Sequence, residues 1–199
     1  MLRIIVAITG ASGSIYGVRL LEKLRSNPDV ELHLLMSHSG ERTLYLETGR
    51  KPADLKALAH FWYPVGDIGA RLASGSFLTH AMVIAPCSIR TLSSISVGIS
   101  SNLLLRAADV TLKERRKLIL VVRETPFHLG HLRSMTALTE MGAIIAPPIP
   151  AFYHHPQSIQ ELVDHSVDRV LDLLGLPPEN ARRWDPHPEP ASGTLKENE

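Results

Sequence analysis

Leu2-Arg-Ile-Ile-Val-Ala-Ile-Thr-Gly-Ala-Ser-Gly-Ser-Ile-Tyr-Gly17 opens the chain, and the reading of this stretch decides the fold. Residues 2–8 form an apolar, β-branched run of strand length, ended by Thr9-Gly10-Ala11-Ser12-Gly13. Val18, Leu20, Leu21 and Leu24 then recur at helical spacing. The pattern predicts a strand, a tight glycine turn and a helix N-terminus. Such a turn presents backbone N–H groups and the positive end of a helix dipole, so residues 9–14 are a candidate phosphate site. The plainer alternative is a βα turn that needs glycine only for its own geometry.

The same alternation continues outward. Val30–Met36 suits a second strand, stopped at Ser37-His38-Ser39-Gly40 and followed by a helix to about Thr48. Residues 52–60 suggest a short helix, and 61–80 read as irregular connection containing Ala73-Ser-Gly-Ser76. Ala81–Cys87 is a buried strand that Pro86 should stop, with Ser88 as N-cap of the next helix. A helix within 101–116 ends in the basic run Lys113-Glu-Arg-Arg-Lys117. Leu118–Val122, a helix over 129–141, Ala143–Ala146 and a helix over 158–174 complete the pattern. Five strands alternating with helices imply an α/β fold: one doubly wound, mostly parallel sheet of Rossmann or flavodoxin type, covered by helices on both faces. Residues 1–185 then form one domain, and the Pro- and Glu-rich stretch 186–199 is expected to be a loosely held tail.

Composition narrows the class. The 199 residues are 44% hydrophobic and 21% charged, with a net charge of +1, so no strong field argues for nucleic acid or a membrane surface. No apolar run reaches the roughly 20 residues of a membrane span. The single Cys87 excludes an intrachain disulfide and a multi-cysteine zinc site, and a cytoplasmic location is the expectation. Cys87 itself, flanked by Pro86 and Ser88 with no placed His base, reads as a small packed residue.

In doubly wound sheets ligands bind beyond the carboxyl ends of the strands. Here those ends are Thr9–Ser12, Ser37, Pro86–Thr91 and Arg123–Glu124, a set of glycines, hydroxyls and an arginine suited to a phosphorylated ligand. A dinucleotide fits poorly. The glycines stand at 10, 13 and 17 rather than at G-x-G-x-x-G spacing, and the second strand ends in Ser37 instead of an acidic residue for a ribose. No tyrosine has Lys four residues on. A mononucleotide such as FMN fits better, shared between the Gly10–Ser12 turn, the Ser37 hydroxyl and the Ser88–Thr91 helix start.

With these strand ends in view, the chain closely resembles the UbiX-type flavin prenyltransferases. The resemblance rests on Thr9-Gly-Ala-Ser-Gly13, Glu47-Thr48, Ala73-Ser-Gly-Ser76, Pro86-Cys-Ser88 with Thr91-Leu92, Arg106-Ala-Ala-Asp-Val110, Leu112-Lys-Glu-Arg115, Arg123-Glu124 and Pro150-Ala-Phe-Tyr153. It extends from residue 2 to about Trp184, and the ending Asn180-Ala-Arg-Arg-Trp184 is most similar to the branch that accompanies hydroxyarylic (phenolic) acid decarboxylases. The resemblance implies transfer of a dimethylallyl group from dimethylallyl monophosphate to N5 and C6 of reduced FMN, without a metal. It also implies that the product serves a UbiD-type decarboxylase and that the enzyme is a homo-oligomer, often a dodecamer.

On the same ground, Ser12, Glu47 and Glu124 are the implied proton-transfer residues. Gly10, Ala11, Ser12, Ser37, Ser88, Ile89, Arg90, Thr91 and Arg123 are the implied FMN contacts. Ser74, Arg106, Lys113, Tyr153, Arg169 and Trp184 are implied at the prenyl donor, with Arg106 reaching in from a neighbouring subunit. Without magnesium, side-chain cations must neutralise the departing phosphate, and aromatic faces must shelter allylic positive charge. Each residue has a plainer reading beside this one. Lys113 suits a solvated basic run, Arg123 and Glu124 an ion pair, Glu47 a surface carboxylate, and Tyr153 a partly buried tyrosine with a satisfied hydroxyl. The chain departs from the family at Gly130-His-Leu-Arg-Ser134 and at Arg90, which bears on helix packing or subunit contacts. Two other functions compete: an FMN-binding accessory protein without its own transfer, and an FMN-dependent decarboxylase. The decarboxylases that share this fold carry Pro-Ala-Ser-Ala-Asn-Thr where this chain has Ala73-Ser-Gly-Ser76, and their Met-Asn-x-x-Met-Trp segment is missing here.

Overall fold

Alternating burial along the strands builds the molecule. In β1 (Leu2–Ile8), Ile4, Val6 and Ile8 face one apolar layer while Ile5 and Ala7 face the other. The structure is a computed structural model that describes residues 1–178, 181, 183 and 184. The expected loose tail, 186–199, lies outside the described residues.

Six parallel strands form one sheet: β1, β2 (Val30–Met36), β3 (Phe61–Tyr63), β4 (Ala81–Cys87), β5 (Lys117–Val122) and β6 (Ile144–Ile145), in the order β3-β2-β1-β4-β5-β6. On one face lie α1 (Ser14–Arg25), α2 (His38–Thr48), the short α3 (Pro52–Lys56) and α7 (Ile159–Leu174). On the other lie α4 (Ile89–Ser96), α5 (Leu103–Lys113) and α6 (Leu129–Glu140). The order reverses between β1 and β4, which places the crevice for a ligand at their carboxyl ends.

Two sequence expectations are corrected. Phe61-Trp62-Tyr63 is not irregular connection but the edge strand β3, paired in parallel with β2 from His33 to Leu35. At three residues it is too short for a periodicity to register. Its rings are held by neighbours: His33 stacks on Phe61 with centroids 5.1 Å apart, and Lys56 lies 3.8 Å over Trp62. Nor does Pro86 stop its strand, since β4 runs through it to Cys87 with a register shift against β5 after Ile84. Proline lacks an N–H for the ladder, but its carbonyl accepts from both the N–H (3.2 Å) and the hydroxyl (2.7 Å) of Thr9.

Buried Thr9 also accepts from the Ser88 N–H at 2.8 Å, tying the ends of β1 and β4 together. Ser88 caps α4 as its position suggests, accepting from the Thr91 N–H at 3.3 Å. Gly17 lets α1 lie directly on β4: a Cβ there would stand 2.2 Å from the Ala85 carbonyl oxygen. Cys87 is fully buried, its thiol donating to the Ser88 carbonyl and its pKa pushed up by burial, in keeping with a packed residue. The departing segment 130–134 lies in α6, where Ser134 meets Ser93 of α4 at 3.5 Å.

Candidate active site

The turn after β1 has a use that its sequence did not reveal. Gly13, at a left-handed φ of 102°, is the N-cap of α1. The N–H groups of Gly13 (3.0 and 3.1 Å) and Ser14 (2.9 Å) both donate to the carboxylate of Glu47, which reaches over from the end of α2. These donors therefore hold a carboxylate, and the expectation that they stand open for a phosphate is corrected. The physical reason is that any anion suits a helix N-terminus, and a side chain from the next helix is nearer at hand than a ligand. Burial raises the Glu47 pKa, but hydrogen bonds from the Ser12 hydroxyl and from the Ser14 and Gly13 N–H groups outweigh it and hold the carboxyl below its ordinary value. Ser12 and Glu47 are thus a coupled pair, not two separate groups.

Arg123 joins them. Its Cγ lies 3.7 Å from where a Gly13 Cβ would stand, and it lowers the pKa of Tyr16 against the stronger raising effect of burial. Arg123 makes no ion pair with Glu124 among the described residues. Glu124 is exposed and accepts from the N–H of Thr125 at 3.0 Å.

Beside this turn, at the β1–β4 switch, opens a cavity of about 650 Å³. Ser37, Ser39, Ser88, Arg90, Thr91 and Asn102 supply its polar wall. Gly10 abuts that wall, since a Cβ on it would meet the Ser39 side chain at 2.6 Å. Ser37 doubles as the N-cap of α2, accepting from the Gly40 N–H at 3.0 Å. Ile89 packs against the apolar core instead of lining the cavity. The size and the hydroxyl, amide and guanidinium groups fit a mononucleotide carrying one phosphate.

A second hollow of about 220 Å³ gathers Tyr153, Arg169 and Trp184 with His165, Asp168, Asp172 and Arg183. Tyr153 and Trp184 meet edge to face at 5.4 Å, and both are exposed. Asp168 pairs with Lys23, while Asp172 is held by Arg183 (2.8 and 3.1 Å) and by Arg169 (2.6 Å). Within the hollow two arginines, Arg169 and Arg183, stand beside two carboxylates, Asp168 and Asp172, and a phosphate would displace Asp172 from the guanidinium groups it now holds. Tyr16, Arg169 and His165 also border an adjoining apolar hollow of about 250 Å³ between α1 and α7.

The remaining predicted donor residues lie elsewhere. The helix α5 starts beside the large cavity, where Asn102 caps it, and runs down to Lys113 near the opposite edge of the sheet, about 16 Å away. There Lys113 pairs with Glu114, and both crowd Gly75 beside Ser74. Arg106 donates to the Ala73 carbonyl at 3.1 Å and to Asp109 at 2.6 Å. One chain therefore holds these predicted residues in two separate groups: Ser74, Arg106 and Lys113 in one, Tyr153, Arg169 and Trp184 in the other. Sequence reasoning missed His165 and the capping role of Glu47, because neither carries a local motif. The positions of Ser39, Tyr16 and Asn102 at the cavities were likewise not legible.

A sheet of this order with such a cavity at its switch point defines a nucleotide-binding α/β protein. The Flavoprotein family model matches residues 1–171. The flavin prenyltransferase LpdB of Lactiplantibacillus plantarum is 54% identical over 185 residues, covering 93% of this chain and 99% of that protein. The chain belongs to the UbiX-type flavin prenyltransferase family within the flavoproteins. Among solved structures, the dodecameric FMN-dependent UbiX-like decarboxylase of Escherichia coli O157:H7 matches at a TM-score of 0.91 and 48% identity, covering 92% of this chain and all (100%) of that one. AnUbiX in complex with FMN and dimethylallyl pyrophosphate matches at 0.90 and 46%, covering 92% of this chain and 97% of the other.

Proposed function

We propose that this protein joins the dimethylallyl group of dimethylallyl monophosphate to N5 and C6 of reduced FMN, and that the product passes to a UbiD-type decarboxylase in the cytoplasm. The observation that carries this reading is the presence in one chain of a hydroxyl-lined mononucleotide cavity and a separate hollow lined by arginines and aromatic rings. Membership of the prenyltransferase family supports it. No helix among the described residues is long and apolar enough to cross a membrane.

FMN, the prenyl acceptor, supplies the nucleophilic ring atoms. Ser37, Ser88, Thr91 and Arg90 hold it in the cavity, with Gly10, Ala11 and Arg123 at the neighbouring turn. Glu47, kept anionic by its three donors, accepts from the Ser12 hydroxyl, so that Ser12 would take the N5 proton while handing its own to the Glu47 carboxylate. Arg169 and Tyr153 bind the departing phosphate, while the Tyr153 and Trp184 rings flank the allylic positive charge. Glu124, exposed and with no arginine partner among the described residues, is the second proton-transfer carboxylate. Ser74, Arg106 and Lys113 complete the phosphate clamp from a neighbouring copy of the chain, in a homo-oligomer that we take to be a dodecamer. No group of three or more metal-ligating side chains occurs among the described residues, and cations of the protein itself serve the phosphate.

The test is direct. Purified protein given reduced FMN and dimethylallyl monophosphate should yield a flavin heavier by one dimethylallyl unit, with a changed absorption spectrum. Recovery of unmodified flavin alone would overturn the proposal.

A further inference from the structure

Tyr153 does not meet the hollow alone. Its hydroxyl lies 2.8 Å from Nε2 of His165, which stands one helical turn before Arg169 on α7. The His154 ring stacks on His165 with centroids 4.6 Å apart and planes 13° apart, and the Tyr153 ring meets His165 edge-on at 5.5 Å. The imidazole thus has little freedom to turn, and its Nε2 is committed to the phenol.

The tautomer of His165 then decides which way the tyrosine proton points. A phenol has one O–H to give. If Nε2 is bare, the Tyr153 proton points at His165 and only oxygen lone pairs face the hollow, where they repel a phosphate. If Nε2 carries a proton, it donates to the Tyr153 oxygen, and the phenol O–H is free to donate to a phosphate oxygen. The second arrangement also polarises the phenol, because each hydrogen bond in a chain strengthens the next.

We propose that His165 is a positioning residue for the prenyl donor: by donating from Nε2 to the Tyr153 oxygen it aims the phenol proton at the leaving phosphate. The inference rests on the proposed function and deepens it, since it concerns the donor's phosphate alone. No proton changes owner in this arrangement; only the direction of two hydrogen bonds is set. The charged groups around the ring are Asp168, Arg169 and Asp172 on its own helix, with His154 packed against it. Burial, followed by His154, holds the imidazole pKa below its ordinary value, and so keeps the ring mainly neutral at pH 7. Its one proton can then be stationed on Nε2 by the phenol it serves.

Steady-state prenyl transfer to reduced FMN, with dimethylallyl monophosphate varied, tests this in five proteins: wild type, His165→Leu, His165→Gln, Tyr153→Phe and Tyr153→Phe/His165→Leu. His165→Leu should raise KM for dimethylallyl monophosphate at least tenfold while kcat changes less than threefold. His165→Gln, whose side-chain amide can still donate, should stay within about threefold of wild type in KM. In the Tyr153→Phe background, His165→Leu should add no further rise. Retention of FMN reports folding; if His165→Leu loses it, His165→Met gives the same comparison. A KM within twofold of wild type in the non-donating variant overturns the inference. So does a rise that persists undiminished in the Tyr153→Phe background, which marks a merely structural role. Failure of the wild type itself to prenylate FMN strikes the functional proposal instead.

Discussion

The carboxylate of Glu47 closes the N-terminus of α1 by accepting from the Gly13 N–H, across 34 residues of sequence, at 3.0 Å. The same carboxylate accepts from the Ser12 hydroxyl. One acidic side chain therefore both finishes a helix and orients the hydroxyl next to the flavin cavity.

This double role makes Glu47 separable by pH. Its folded pKa lies below the ordinary 4.5, so its contribution to stability is fully present above that value and is lost as pH falls through the lowered folded value. Glu47→Gln should lower stability at neutral pH by about 0.5–1 kcal/mol, the usual worth of an exposed anion at a helix N-terminus. In denaturant melts, wild type and variant should converge as the solution is taken well below pH 4.5. Prenyl transfer should fall at neutral pH by tenfold or more, because an amide can present its own N–H to Ser12.

The two groups of donor residues predict complementation between chains. Lys113→Ala and Tyr153→Phe should each be impaired as pure oligomers, since each leaves every composite site one residue short. Random mixing of the two variants by co-expression should restore about a quarter of the sites to wild-type composition. The readout is the rate of flavin prenylation by the mixed oligomer against the pure ones. Activity no higher than the mean of the parents would place both residues in the same chain's site.

Gly17→Ala tests the seat of α1 on the sheet. Its new Cβ would stand 2.2 Å from the Ala85 carbonyl oxygen and 2.9 Å from Ile8 Cγ1, so either helix or strand must shift. Destabilisation of about 1–3 kcal/mol is expected from such overpacking, measured by chemical denaturation. Because the start of the same helix carries Gly13 and Ser14, FMN affinity should fall in step.

Cys87 should behave as core. Its thiol is fully buried and burial raises its pKa, so labelling by a maleimide at neutral pH should be slow in the native protein and immediate in denaturant. Cys87→Ala should leave prenyl transfer within twofold of wild type. Rapid native labelling would show that β4 opens beneath the flavin cavity.

The sequence by itself determined the elements and the edge at which a ligand must sit. Strand and helix periodicities, the cap at Ser88, and the glycine turn at residues 10–13 are set by neighbours a few residues apart, so they are legible along the chain. Parallel pairing of buried strands then gives the α/β sheet, whose carboxyl edge follows without coordinates. The short edge strand β3 was not legible because three residues hold too little pattern to separate from loop. Tertiary structure alone decided which side chains act together. Only there does Glu47, not a ligand, meet the N–H groups of Gly13 and Ser14. Only there do Tyr153, His165 and Arg169 share one hollow while Lys113 and Ser74 stand at the far end of α5. Such partnerships depend on which elements the sheet order makes adjacent, and a distance in space between residues far apart in sequence leaves no local trace in either segment.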